Sequence, residues 1–152
     1  MEVTMEAGRR VNDAASVSPG RLWTGRVISW LIAAFMLLDA AMKFLRPAPV
    51  AQAFVRTGWP LELSVTLGVI LLASTLLYLI PRTSVLGAIL LAAYFGGAVA
   101  TNLRLENPVF SHTLFPVYFG VLTWLSLWLR EPRLVELIPL RRGWSRTGKR
   151  AR

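Results

Sequence analysis

Apolar residues run in four long blocks, at 27–45, 61–80, 85–103 and 113–129. Counted inclusively these hold 19, 20, 19 and 17 residues. A helix needs roughly 17–25 residues to cross the hydrocarbon core of a bilayer. Inside that core the backbone must satisfy its own hydrogen bonds, so each block is predicted to be a transmembrane helix. The fold class expected is all-α, a polytopic four-helix transmembrane bundle over residues 26–130.

The connections refine this picture. Only Pro81, Arg82, Thr83 and Ser84 separate the second block from the third, so these two helices are antiparallel neighbours. The first loop is longer. Within it Pro49 opens and Gly58 closes a short helix, with Val50 and Phe54 four apart on one face. This helix is expected to lie at the membrane surface. Asn107-Pro108 marks a turn in the third loop. Residues 1–25 show no apolar periodicity and contain the breaker pair Pro19-Gly20, so they read as a flexible cytoplasmic tail and not a signal peptide. Residues 131–152 read as a short apolar stretch (Leu134, Val135, Leu137, Ile138, Leu140) ending in a basic juxtamembrane tail.

Charge sets the orientation. The chain of 152 residues carries 17 Lys and Arg against 8 Asp and Glu, a formal net charge of +9. Thirteen of the basic residues fall on the side of the termini and the Pro81 turn. Four, namely Lys43, Arg46, Arg56 and Arg104, fall on the other. The richer side is normally cytoplasmic, which puts both termini inside and makes this a multi-pass protein of the cell membrane. Basic charge beside apolar spans points to anionic lipid at the C-terminal tail, about 1 kcal/mol per basic residue near the surface, and not to nucleic acid. Trp23, Trp30, Trp124, Trp128 and Trp144 fit an interfacial belt on the inner side, and Trp59 on the outer.

Composition narrows the chemistry. Without cysteine the chain has no thiol catalysis, zinc–thiolate site or iron–sulfur cluster of its own. One histidine, His112, is too few for bis-histidine haem ligation. Nucleotide-binding, zinc-protease and serine-hydrolase motifs are absent, and no metal site is expected. No catalytic residue is assigned, and the chain does not read as a self-contained enzyme.

The remaining polar residues gather at the outward end. Asp39 and Lys43 sit near the end of the first helix, Glu62 opens the second, Asn102 and Arg104 close the third, and His112 precedes the fourth. Charged groups in a bilayer are expensive unless paired, so the six residues form a candidate polar cluster. Asp39 and Lys43 are spaced to pair along one helix face. The cluster is read either as scaffolding or as a proton- or ligand-handling site. In the third helix Ala92, Gly96 and Ala100, beside Gly97, make a face of small residues suited to close helix packing. Alternatively, Gly96 and Gly97 leave room for a flat ligand, such as a quinone ring against Tyr94. Pro116 either kinks the fourth helix or frees a carbonyl.

Three stretches carry a family resemblance: FMLLDAAMKF at 35–44, YLIPRTSVLGAILLAAYFGGAVATNLR at 78–104 and HTLFPVYFGVLTWLSLWLREPRL at 112–134. With these the chain resembles the DoxX-like family of small membrane proteins over about residues 23–140. The resemblance implies a four-helix bundle of a bacterial inner membrane and little defined chemistry. Some relatives are named as membrane subunits of a thiosulfate–quinone oxidoreductase. The implied role is an accessory or structural subunit, with a quinone as the candidate cofactor and another membrane or soluble redox subunit as partner. The alternative reading is a small proton-coupled transporter using the polar cluster.

Overall fold

The computed structural model describes residues 19–131 and Leu134. The helices are α1 (Pro19–Leu45), α2 (Ala48–Thr57), α3 (Leu63–Leu79), α4 (Ser84–Arg104) and α5 (Phe115–Arg130), with a π-helical turn Val109–Thr113 before α5. The chain is all-α. α1 packs on α3 and α5, and α4 packs on the same two, which closes a ring of four long antiparallel helices. One end of the bundle holds α2 and the π turn. The other holds the turn between α3 and α4, the start of α1 and the end of α5.

The interior of this bundle is apolar, around Ile32, Met36, Leu71, Leu91 and Leu127, but it shares that space with small hydroxyl residues, and the outer surface is apolar as well. Ser29, Ser64, Ser74, Thr75, Thr123 and Ser126 are buried, whereas Leu31 at 67% and Leu38 at 62% exposure belong to a wide apolar surface. Such an outer surface suits lipid, whose tails are as apolar as leucine. Four of these hydroxyls are satisfied within their own helix. Ser29, Ser74, Thr75 and Thr123 each donate to the carbonyl four residues back, at 2.7–2.8 Å. Among the described residues three helical stretches are long and apolar enough to cross a membrane: Pro19–Leu45, Ser84–Arg104 and Val109–Arg130. α3 has 17 residues, about 25 Å at 1.5 Å rise, which is the lower limit for a span.

The boundaries differ from expectation in three places. First, α1 begins at Pro19, so residues 19–25 of the expected flexible tail are helical. Proline suits a first helical position, where its missing N–H has no partner to lose. Gly25 then packs on α5. A Cβ added there would meet Leu129 Cβ at 2.9 Å and the Ser126 carbonyl at 3.0 Å. Residues 1–18 and most of 132–152, including Trp144 and the basic tail, lie outside the described residues.

Second, α3 is shorter than the 61–80 block. Leu61 and Glu62 are taken up in turns after Pro60, and Ile80 is extended at ψ 121° before Pro81, as a residue preceding proline prefers. Third, Pro116 lies in the first turn of α5 and does not kink its middle. The π turn leads into it, with the Leu114 N–H donating to the Val109 carbonyl at 2.8 Å. α2 forms as the Pro and Gly signals predict. Gly58 has φ 68°, its N–H donates to Val55 and the Trp59 N–H to Phe54, which is a Schellman ending.

Candidate functional site

The α2 end brings together most of the predicted polar cluster, but in two separate places. The deeper place holds Asp39 and Lys43. Lys43 Nζ donates to both Asp39 carboxylate oxygens, at 2.7 and 2.6 Å; the Lys43 side chain is 14% exposed and that of Asp39 38%. A lysine one turn after an aspartate on the same helix face reaches it without strain. Among the described residues this is the sole ion pair.

The α3 and α4 helices complete its surroundings. Ser64 donates to the Lys43 carbonyl at 2.6 Å, which joins α3 to the last turn of α1. Gly68 leaves room for the Lys43 stem and the Phe44 ring. The Tyr94 ring of α4 lies 6.0 Å from Lys43 Nζ, within cation–π range. Tyr94 therefore turns toward the ion pair.

The shallower place is a cavity of about 490 Å³ between α2 and the α4–α5 connection. Its polar lining is Gln52, Arg56, Thr57, Asn102, Asn107 and His112. Asn102 donates to the Ala98 carbonyl at 2.9 Å and accepts from Asn107 Nδ2 at 2.8 Å. Arg104 reaches across and donates to the Thr57 carbonyl, which ties α4 to the end of α2. Of the six predicted residues, Asn102 and His112 line this cavity, Arg104 braces it, and Asp39 and Lys43 form the deeper pair. Glu62 is exposed and lines neither place. Gln52, Arg56 and Asn107 were not placed in the cluster from sequence, where Arg56 counted only toward orientation and Asn107 only as a turn signal. They lie on α2 and in the α4–α5 connection, and only folding shows which polar residues face one another.

The small-residue face of α4 does not pack inside the bundle. Gly96, Gly97 and Ala100 are exposed, and a Cβ at Gly96 or Gly97 would meet nothing within 4 Å. The close approach of α4 falls instead at Gly87, one end nearer the turn. Ala92 and Gly96 line a cleft of about 610 Å³ between α4 and α5, together with Phe95, Gly120, Trp124 and Trp128. Among its side chains only the two indoles can donate a hydrogen bond. Leu134 also lines the cleft. Tyr94 is not part of this lining.

The opposite end carries a polar hub that sequence reading missed. Tyr78 of α3 is fully buried and meets Ser29 of α1 at 3.1 Å and Ser126 of α5. Arg130 donates to the Tyr78 carbonyl at 2.7 Å and stacks over its ring at 4.6 Å. Arg21 does the same at Trp128, donating to its carbonyl at 3.0 Å and stacking at 4.6 Å. Among the described residues no cluster of His, Cys, Asp and Glu could hold a metal ion.

A lipid-facing apolar exterior, a ring of four antiparallel helices and an internally paired charge define a small polytopic membrane protein. The sequence matches the DoxX-like family over residues 27–126, and the chain belongs to that family. No curated protein and no solved structure matches it.

Proposed function

We propose that this chain is an accessory or structural membrane subunit that works beside a quinone-linked redox partner, with both termini in the cytoplasm. The observation that carries the reading is the Asp39–Lys43 pair. Proton-coupled carriage needs an acid free to gain and lose a proton within the membrane. Asp39 has both oxygens committed to one ammonium. The pair is instead closed within α1, with Ser64 of α3 bound to the Lys43 backbone carbonyl and the Tyr94 ring of α4 beside the ammonium, an arrangement that suits scaffolding. The transporter alternative is correspondingly weaker.

The α4–α5 cleft supports the quinone part of the proposal. Its volume lies in the range of about 300–1,000 Å³ usual for ligand pockets, and its walls are apolar and aromatic. These residues fit a flat ring or a prenyl chain, with the Trp124 and Trp128 indoles as the available donors. A quinone held there would supply the redox chemistry, while the chain's own residues would bind and orient it. The 13-to-4 division of basic residues supports the orientation and an anionic-lipid contact at the C-terminal tail.

The test is to delete the gene and assay quinone reduction in isolated membranes, alongside native electrophoresis of the tagged chain. The expected result is lower quinone reduction and co-migration with a redox subunit. Migration alone, with quinone reduction unchanged, would overturn the proposal.

A further inference from the structure

The cavity beneath α2 has a feature the subunit reading does not use: its lining is cationic and amide-rich with no carboxylate. Arg56 presents a planar guanidinium, the side chain best matched to two oxygens of one anion. Gln52, Asn102 and Asn107 contribute amides. Asn102 and Asn107 each use one amide N–H within the protein and keep a second. Ser111 Oγ lies 2.8 Å from His112 Nδ1, and when that hydroxyl donates, the ring proton sits on Nε2 as a further donor. Arg104 does not line the cavity itself but donates to the carbonyl of Thr57, which does. Glu106, between two lining residues, has φ 54° and does not line the cavity.

The depth of the cavity is also informative. α2 buries Phe54 and exposes Val55, and Trp59 just beyond it is exposed as well. An exposed valine on a short helix at the bundle's end, followed by an exposed tryptophan, suits the headgroup layer. We infer that this cavity binds an anionic phosphate group, supplied either by a lipid headgroup or by a free phosphate. The shared chemistry is a tetrahedral oxyanion held by the Arg56 fork and the surrounding amides. This site is independent of the redox-subunit reading and stands or falls separately.

The full chain in detergent is titrated with inorganic phosphate against chloride at matched ionic strength, reading the thermal midpoint. In nanodiscs the same midpoint is read with phosphatidylglycerol against phosphatidylcholine. A ligand bound only to the folded state raises the midpoint. The expected result is a rise in at least one arm. A rise with inorganic phosphate assigns a free-ion site, and a rise with phosphatidylglycerol alone assigns a headgroup site. Arg56→Gln should weaken the responsible ligand at least about tenfold, the scale of a lost charge-assisted contact. Arg82→Gln, at the opposite end, should leave it unchanged. If Arg56→Gln does not fold, Gln52→Leu takes its place and should also weaken binding. The inference is overturned by no rise in either arm, by wild-type binding in the cavity variant, or by equal loss in Arg82→Gln.

Discussion

Gly87 of α4 lies directly on the backbone of Tyr78 in α3. A Cβ at Gly87 would fall 2.1 Å from the Tyr78 nitrogen and 2.4 Å from its Cα. Backbone cannot move aside as a flexible side chain can. Gly87→Ala should therefore destabilise the bundle by about 1–3 kcal/mol or more through overpacking. Gly97→Ala, where nothing lies within 4 Å, should be neutral or mildly stabilising through helix propensity. Unfolding free energies in mild detergent would check this. Equal stability of both variants would rule out the close α3–α4 approach.

Asp39 and Lys43 should behave as one unit. Removing one partner leaves an uncompensated charge in a poorly hydrated place, which is usually worse than losing both. Asp39→Asn and Lys43→Met are each expected to lower folded yield in membranes, and the double variant to recover part of the loss. A double-mutant cycle should give a coupling of about 0.5–3 kcal/mol. Additive losses would show that the two residues do not act as one unit.

Tyr78 joins three helices through one hydroxyl. Tyr78→Phe keeps the ring in place and removes its contacts with Ser29 and Ser126. Both serines retain backbone carbonyl acceptors, Gly25 for Ser29 and Thr123 for Ser126. The expected cost is therefore modest, about 0.6–1.7 kcal/mol, as for other interhelical hydrogen bonds in membranes. Arg130→Gln should add its own loss by removing the guanidinium from the Tyr78 ring. Detergent unfolding of the single and double variants measures both effects. A Tyr78→Phe variant as stable as the parent would make the hub a by-product of packing.

Orientation is tested independently of stability. Reporters fused after Arg150 and inserted near Ala15 should both read cytoplasmic, and a tag near Gln52 should read external. The charge division predicts this outcome. An external C-terminal reporter would reverse the topology and place the cavity beneath α2 on the inner side.

The local elements were legible because their causes are local. Pro49 and Gly58 bracket α2, Pro81 ends the stretch after α3, and the Asp39 to Lys43 spacing makes one ion pair on one helix face. The span of α1 back to Pro19 was not legible. Its first turns are polar enough to read as tail, and they are held by Gly25 against α5. Similarly, the Gly96–Gly97 face looked like a packing surface because its spacing matches one. Whether a small-residue face meets a neighbour depends on how the helix is rotated in the ring.

By itself, then, the sequence determined the class: long apolar blocks must become helices in a bilayer, because no other open structure there satisfies the backbone. It also determined that Asp39, Lys43, Asn102, Arg104 and His112 fall at one end, since successive spans must alternate in direction. Only the tertiary structure decided how those residues are divided. Ring order and helix rotation send Asp39 and Lys43 toward Tyr94, leave Glu62 outside, and fold α2 back so that Gln52 and Arg56 face Asn102, Asn107 and His112. The same rotation turns Tyr78 inward to Ser29 and Ser126. These are contacts between residues about 50 positions apart, and pattern along the chain carries no record of them.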